Sequence, residues 1–355
     1  MSLTGRARSA TRTAIVVAAA SMIALLALAT ATPVAAFSYP GYEYSYYMNT
    51  INTTTLQSMG CSLGTARQGG SAPQDGLVIL DYGQPSYDTT KGYGAWAFGG
   101  LNYVSHTQIE NAVVAFAHGF WLCTGSNLTA HVRIGVGTTN YGNWTESAGF
   151  TDAMVVAHAK AWGSMVNSIN TDISNAGYQN QTDAVAAADI EVSWGKPVTA
   201  RSWVDAYDTV NNWSLYDYGD AAGCPQSGAT KTAGTCNYYT PDGGAHKYYW
   251  HQNDLYYVSW QASPSWGVPE IYRTDGAQAK QWQQISKWAT LNGLGLDQFA
   301  GSLTQHGACH SPGHSCDPTL DNTADIGWAQ LRDKCAADSA TALFSLRFAA
   351  DITYH

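Results

Sequence analysis

Short apolar segments alternate with longer amphipathic segments through the middle of the chain. Most of the short segments are continuous apolar runs, which is typical of strands that are covered on both faces in a parallel sheet. The longer segments place apolar residues at helical spacings of three and four. We predict strands at 76–82, 131–137, 184–192, 214–218, 255–260, 268–272 and 296–303.

The helices between these strands carry recognisable end signals. Thr107 and Glu110 fit a capping box, a second helix is expected over about 150–169, and a third follows Pro197. A fourth helix is expected to start near Asp275 and to end at Gly293, because glycine tolerates the left-handed conformation that ends many helices. Strands alternating with helices predict an α/β fold. Seven strands with fewer clear helices indicate an incomplete or irregular (β/α)8-like barrel, and an open doubly wound sheet is the alternative.

The amino terminus predicts export. Residues 1–36 have a basic start, an uncharged apolar run and small residues before the expected cleavage site, which is the pattern of a cleaved signal peptide. An uncleaved membrane anchor is the alternative, because the run approaches the ~20 residues that span a bilayer. We divide the rest into an N-terminal extension at 37–74, a barrel at 75–305 and a Cys/His-containing C-terminal extension at 306–355. The sequence thus predicts a secreted protein with no stable membrane insertion after cleavage.

The low charge of the chain limits the classes of partner that it is expected to bind. Only 12% of the residues are charged, and 17 basic against 26 acidic side chains give a net charge of −9. That sign is unfavourable for binding nucleic acid or an anionic membrane. The 13 Trp and 22 Tyr exclude the disordered and collagen-like classes. A surface that stacks and hydrogen-bonds rather than forming ion pairs indicates sugars as ligands.

The cysteines all follow residue 36, and an exported chain is expected to oxidise them. Two pairs bracket short loops and are expected to be local clips. Cys335 would then remain free, or would pair in the region of the second clip. We predict the pairs Cys61–Cys123, Cys224–Cys236 and Cys309–Cys316.

Acidic side chains follow three of the predicted strands. Asp81 ends the first, Asp189 and Glu191 end the third, and Asp217 ends the fourth with Asp220 shortly beyond. In a parallel barrel, catalytic groups come from the carboxyl ends of different strands. These acids are therefore the first candidates for chemistry.

The Asp189-x-Glu191 element is the most specific of these signals. Residues i and i+2 of a strand point to the same face, with Cα atoms roughly 6.5 to 7 Å apart. Two carboxyls in a partly dry cleft push their pKa values apart, so one can hold a proton while the other stays charged. Glycoside hydrolysis requires that division. The structural alternative is that Asp189 caps a turn and Glu191 faces solvent.

Several fragments carry a family resemblance. Residues 80–83, 133–137, 189–191 and 269–272 occur in that order, and 303–305 close the series. Together they resemble the family 25 lysozymes and the related glycoside-hydrolase-like domains of secreted actinobacterial proteins. The chain departs from the family in lacking its Tyr-His-Phe element and in the cysteine-bracketed insertion.

The resemblance covers about residues 75–305 and implies a barrel with a substrate groove. In the family, the positions matching Asp81, Asp189 and Glu191 line that groove, and the position of Glu191 is the proposed acid. The lysozymes cleave the β-1,4 link of peptidoglycan, and an acidic neighbour can assist the N-acetyl group of the substrate.

Other side chains near strand ends are candidates for binding. Aromatic rings there could stack on sugar rings, and polar groups could hydrogen-bond hydroxyls. We predict no metal and no cofactor: His306, His310 and His314 lie among cysteines that should pair, and no matching ligand set stands opposite. A disulfide-clipped surface loop is the favoured interpretation there. The predicted substrate-binding residues are Tyr82, Asn140, Trp194, Tyr218, Asp220, Trp260 and Gln305.

These observations favour a secreted glycoside hydrolase acting on a cell-wall or related polysaccharide. Glu191 would be the general acid, Asp189 its electrostatic partner or the helper of an N-acetyl group, and Asp81 a carboxylate that positions water or sugar. The alternative is a non-catalytic carbohydrate-binding or cell-surface protein on the same barrel. A third class, an envelope scaffold, depends only on the two extensions.

Overall fold

The computed structural model describes residues 37–70, 74–125, 127–141, 150–211, 213–241, 244–263 and 265–355. The predicted signal peptide at 1–36 lies outside them, and all that follows concerns the unit Phe37–His355. Of the helices in these ranges, none combines the length and the apolar character needed to cross a membrane.

The strands of the described residues fall into one large sheet and two small ones. The large sheet contains eight strands, and the two small sheets contain three and two. In chain order the strands are β1 (Glu43–Tyr47), β2 (Gln74–Asp81), β3 (Gln84–Asp88), β4 (Gly92–Ala97), β5 (Asn102–Ser105), β6 (Ala130–Thr139), β7 (Thr182–Asp189), β8 (Leu215–Asp217), β9 (Thr235–Tyr239), β10 (Tyr248–His251), β11 (Ser265–Gly267), β12 (Gly301–Thr304) and β13 (Phe348–Tyr354).

The large sheet is parallel and nearly closed into a barrel. Its order is β11-β8-β7-β6-β2-β1-β13-β12, so each strand except β12 lies beside the one that precedes it in the chain within this sheet, and β13 returns beside β1. Two parallel bridges, Gly267 to Phe299 and Glu270 to Leu303, join the edges at β11 and β12. This arrangement confirms the predicted (β/α)8-like barrel and excludes the open doubly wound sheet.

Helices cover the outside of the barrel. Local signals mark their ends: Ser105 and Gln108 form the capping box of the helix that begins at His106, Pro197 occupies the first turn of the next but one, and Gly293, with a φ of 71°, follows the helix that ends at Leu291. The helices are α1 (Thr53–Ala66), α2 (His106–Cys123), α3 (Asp152–Asn175), α4 (Pro197–Asp208), α5 (Gln252–Tyr256), α6 (Ala277–Leu291), α7 (His306–Cys309) and α8 (Ala324–Ala336).

The core has two layers, because side chains alternate between the faces of each strand. Leu77 and Ile79 of β2 belong to the cluster inside the barrel, whereas Val78 and Leu80 belong to the larger cluster between sheet and helices. Asp81 follows Leu77 and Ile79 at the same spacing of two residues, so its side chain also points into the barrel. The same alternation on β7 turns Val185, Ala187 and then Asp189 inward.

Several sequence predictions are corrected by the fold. Residues 255–260, predicted as a strand, form the end of α5 and a π-helical turn at Tyr257–Gln261, since a short apolar run fits a buried helix as well as a strand. The strand predicted at 268–272 forms three residues earlier, as β11. The first capping box is formed by Ser105 and Gln108, two residues before the predicted pair.

The predicted barrel boundaries at 75 and 305 are too narrow. Strands β1 and β13 lie in the predicted extensions at 37–74 and 306–355, yet both belong to the barrel sheet. Their sequences, Glu43–Tyr47 and Phe348–Tyr354, mix polar residues with aromatic ones and lack the apolar runs of β2 and β7. Strands β1 and β13 therefore pair with each other and complete the barrel.

The disulfides confirm the predicted pairing. Cys61–Cys123 joins α1 to α2, and two further bonds join cysteines that are 12 and 7 positions apart in the chain. Cys335 is free and buried in α8. The alternative that paired Cys335 with the 309/316 region is thereby excluded.

Candidate functional site

The carboxyl ends of the barrel strands place Asp81 and Asp189 at one level. The register sets Tyr47 beside Asp81, Asp81 beside Gly137 and Thr139 beside Asp189. Both carboxyls point inward and both side chains are buried. They form the floor of an open cleft at this end of the barrel.

Glu191 follows β7 and is held in place by an amide. The Nδ2 group of Asn140 donates to the carbonyl oxygen of Glu191 at 2.9 Å, and the N–H of Glu191 donates to Oδ1 of Asn140 at 3.0 Å. The side chain of Glu191 remains partly exposed to the cleft. Asn140, predicted to bind substrate, is fully buried and positions the backbone of Glu191 instead.

A third cluster member, Glu270, was missing from the predicted site. It follows β11, and its backbone is tied to β12 by the bridge to Leu303. Its carboxylate, with those of Asp189 and Glu191, forms a group whose nearest oxygens all lie within 4.8 Å of one another. The signal in the sequence was an acid after the apolar Val268, but the strand was predicted to continue through it.

Burial strongly perturbs these carboxyls. Burial raises the pKa of Glu191 to about 8, with the charge of Asp220 as the second cause. Burial also raises the pKa values of Asp189 and Glu270 well above the usual range, and the charge of Glu191 adds to both. At neutral pH the cluster therefore retains protons, and Glu191 holds one.

Asp81 has a milder environment. Burial raises its pKa to about 7, while the N–H of Gly83, at 2.8 Å from Oδ1, and the hydroxyl of Tyr218 act in the opposite direction. Among the described residues, Oδ2 of Asp81 and Oδ1 of Asp189 have no hydrogen-bond partner. Both oxygens are buried at the floor of the cleft.

Aromatic side chains form much of the wall of the cleft, whose volume is about 460 Å³. Trp96 comes from β4 of the small antiparallel sheet of β3, β4 and β5, which is inserted after β2, and Phe98 lies in the turn that follows β4. Tyr141 packs edge-on against Trp194 with ring centroids 5.2 Å apart. The described lining contains no Lys, Arg or His; it comprises Tyr47, Asp81, Gly83, Gln84, Trp96, Ala97, Phe98, Thr139, Tyr141, Asp189, Glu191, Trp194, Glu270, Tyr272, Gln305 and Tyr354.

The structure brings together five of the predicted site residues as lining of the cleft: Asp81, Asp189, Glu191, Trp194 and Gln305. The three carboxyls and the indole were identified from strand ends alone. Gln305 follows β12 and also donates to the carbonyl oxygen of Leu320 at 3.2 Å.

The other predicted binding residues have different positions. Tyr82 and Tyr218 are buried, the first in the outer core and the second inside the barrel against Asp81. Asp220 lies behind Glu191, where its Oδ1 accepts from the N–H of Val192 at 3.4 Å. Trp260 lies on the π-helical turn and contacts Trp266 away from the cleft.

Asp217 is a strand-end acid that the alternation turns away from the cleft. Its neighbours Tyr216 and Tyr218 are in the inner cluster, so Asp217 faces the helical layer, where it is fully buried. A difference of one position along a strand therefore decides whether a carboxyl points into the cleft or into the helical layer.

Besides Glu270, several aromatic contributors to the cleft were absent from the predicted site. Tyr47 and Tyr354 belong to β1 and β13, Trp96 belongs to β4, and Phe98 directly follows β4. Their sequence neighbourhoods are rich in tyrosine and glycine and do not resemble barrel strands. No local signal distinguished these rings from the many aromatic residues of the core.

The arrangement supports two kinds of chemistry. Three carboxylates within 4.8 Å could hold a hard divalent cation such as Ca²⁺ or Mg²⁺, which take oxygen ligands. With protons in place of a cation, the same group provides an acid beside a carboxylate.

Comparisons with protein-family models, with curated proteins and with solved structures find no match to this chain.

Proposed function

We propose that the cleft binds a polysaccharide and hydrolyses a glycosidic bond by carboxylate acid catalysis. The observation that carries this proposal is the group of Asp189, Glu191 and Glu270, whose oxygens lie within 4.8 Å at the floor of an aromatic cleft. Glycoside hydrolysis uses a pair of carboxyl groups around the scissile bond, one protonated and one ionised.

Glu191 is the general acid in this proposal. Its pKa, raised to about 8 by burial and then by Asp220, keeps it protonated at neutral pH. Its side chain also retains access to the cleft, which a proton donor requires. A group whose pKa lies near the working pH transfers protons most effectively, and such catalysis contributes about 10² to 10⁴ in rate.

Glu270 and Asp189 would stabilise the positive charge that develops on the sugar. Burial and then the charge of Glu191 raise the pKa values of both groups, so they hold protons in the free cleft, and a positive charge developing on the sugar would favour ionisation of one of them. Retaining glycosidases keep their two carboxyls about 5 to 5.5 Å apart, and inverting ones about 6.5 to 9.5 Å. The nearest oxygens here lie within 4.8 Å, which is closer to the retaining arrangement than to the inverting one. Asp189 could alternatively assist an N-acetyl group, and Asp81 would position water or sugar.

The walls of the cleft fit a sugar polymer. Trp96 and Tyr141 are 49% and 48% exposed, although large aromatic side chains usually pack in the interior. Flat rings present an apolar face to sugar C–H groups, and the polar side chains of Glu191 and Gln305 in the cleft can hydrogen-bond hydroxyls. A peptidoglycan-type β-1,4 link is the favoured substrate because of the resemblance to family 25 lysozymes.

We further infer that the protein acts outside the cytoplasm. Three disulfides are formed, and such bonds persist in oxidising compartments. The predicted signal peptide at 1–36 is the route of export.

The test is release of reducing sugar from peptidoglycan and chitin-type polymers. Wild type should be active, and Glu191→Gln should lower kcat by roughly 10² to 10⁴ while retaining the polymer, because only the proton donor is lost. Glu110→Gln, in α2 outside the cleft, is the matched control and should behave as wild type.

Two outcomes would contradict the proposal. Equal release by wild type and Glu191→Gln would remove the role of Glu191. No release by wild type, with the polymer still retained in a pull-down, would favour the alternative of a non-catalytic carbohydrate-binding protein on the same barrel.

A further inference from the structure

A histidine cluster lies beside the cleft, at the carboxyl end of β12. The chain passes from Gln305 into α7, whose first residue is His306, and His310 follows the helix directly. In sequence these histidines lack an opposing ligand. The fold supplies one, because the chain returns through a 3₁₀ turn at Pro318–Leu320 and places Asp321 against both rings.

The three side chains converge closely. Nδ1 of His306 lies 2.8 Å from Oδ1 of Asp321, and Nε2 of His310 lies 3.0 Å from Oδ2. The two rings are 4.2 Å apart between centroids. One donor atom from each residue therefore lies within 4.8 Å of the other two.

We propose that His306, His310 and Asp321 bind a divalent transition metal of the zinc class. Imidazole nitrogen with carboxylate oxygen is a donor set suited to Zn²⁺, and three protein ligands leave one tetrahedral position open. The side chains are 39%, 59% and 25% exposed, so water or a ligand can reach that position. The Asp189–Glu191–Glu270 group has oxygen donors alone and suits hard cations instead.

The surrounding structure holds these ligands in place. The Cys309–Cys316 disulfide closes the loop that follows α7. The N–H of Gly307 donates to Oδ2 of Asp351 at 2.8 Å, which anchors α7 to β13. Because the bonds that fix the backbone are separate from the three ligands, a metal would meet a site that needs little rearrangement.

The site shares a wall with the cleft. Gln305 lines the cleft and donates to the carbonyl oxygen of Leu320, the residue before Asp321. A bound metal would link α7 to the 3₁₀ turn across this wall. The proposal does not depend on the hydrolase activity, because none of the three ligands lines the cleft.

Titration calorimetry of chelator-treated full-length mature protein with ZnCl₂ tests the site. We expect one Zn²⁺ per chain. His310→Gln and Asp321→Asn should each weaken binding at least about tenfold, since even loss of a partner outside the ligand set costs about 10 to 100-fold. His314→Gln is the matched control, because His314 is in the same loop but stacks on Tyr354.

Glu191→Gln, which disrupts the other cluster, should bind Zn²⁺ as wild type does. The proposal is overturned if wild type binds no Zn²⁺, if all variants bind equally, or if binding is lost only in Glu191→Gln. Thermal unfolding of the metal-free variants checks their folding. Co²⁺ bound to wild type provides a second readout, because a four-coordinate site with imidazole ligands absorbs visible light much more strongly than the hydrated ion does.

Discussion

The position and the pKa of Glu191 depend on two neighbours that do not line the cleft. Asn140 fixes its backbone through two hydrogen bonds, and Asp220 lies behind it and raises its pKa after burial has done so. Burial brings the pKa of Asp220 itself only to about 6, because backbone N–H groups at Ala222 and Val192 stabilise its charge. At neutral pH Asp220 is therefore mostly ionised while Glu191 is protonated.

Asp220→Asn should lower the pKa of Glu191, because a negative charge beside an acid disfavours its ionisation. The acid would then lose its proton at lower pH, and the alkaline limb of the kcat/KM profile should move down by roughly half a unit to one unit. NMR titration of the Glu191 carboxyl measures the same shift without turnover. Asp333→Asn, at an exposed site on α8, should leave the limb in place; an unmoved limb in Asp220→Asn would contradict this role.

At the scale of elements, helices α1 and α2 approach so closely that glycine is required. A Cβ atom at Gly119 would lie 1.9 Å from the carbonyl oxygen of Gln57, and one at Gly60 would lie 2.0 Å from that of Phe116. The Cys61–Cys123 disulfide joins the same two helices. Backbone contacts of this kind cannot be relieved by rotating a side chain.

Gly119→Ala should therefore destabilise the protein. Overpacking lowers the free energy of unfolding by about 1 to 3 kcal/mol or more. The better helix propensity of Ala offsets up to about 1 kcal/mol of this loss. We expect a net loss of roughly 2 kcal/mol in the free energy of unfolding, measured in urea. Ser62→Ala on the exposed face of α1 should change it by less than about 0.5 kcal/mol. A more stable Gly119→Ala would show that the helices do not pack so closely.

At the scale of the whole molecule, several buried acids of the described residues have raised pKa values. Burial raises the pKa of Asp217 to about 8 and that of Asp297 to about 7, and neither lies in the cleft. In the unfolded chain both would titrate near 3.8. Between those values the folded state holds protons that the unfolded state has lost, so stability is greatest at low pH and falls as pH rises.

The free energy of unfolding should accordingly decrease from about pH 5 to pH 8. Asp217→Asn should flatten this decrease by at most about 1.4 kcal/mol per pH unit, because the amide does not ionise. Urea unfolding at several pH values, with disulfides intact, measures the slope. Asp333→Asn should keep the wild-type slope. Wild-type stability that rises over this range would refute the assignment of these pKa values.

Much of the fold followed from local pattern. The runs in β2, β6 and β7 are long and apolar because both of their faces are buried, and their period places Asp81 and Asp189 on the inward face. The short-range disulfides followed from spacing. By contrast β1 and β13, in which polar residues interrupt the apolar ones, are recognised as barrel strands only by their pairing.

By itself, the sequence determined the barrel class, the strand-end acids Asp81, Asp189 and Glu191, and the low positive charge, because periodicity and composition act locally. Only the tertiary structure decided that Glu270 joins those acids, that Asp217 does not, and that Asp321 meets two histidines. The physical reason is closure. A barrel brings together strand ends that are distant in the chain, and a one-residue change of face separates a cleft group from a core group.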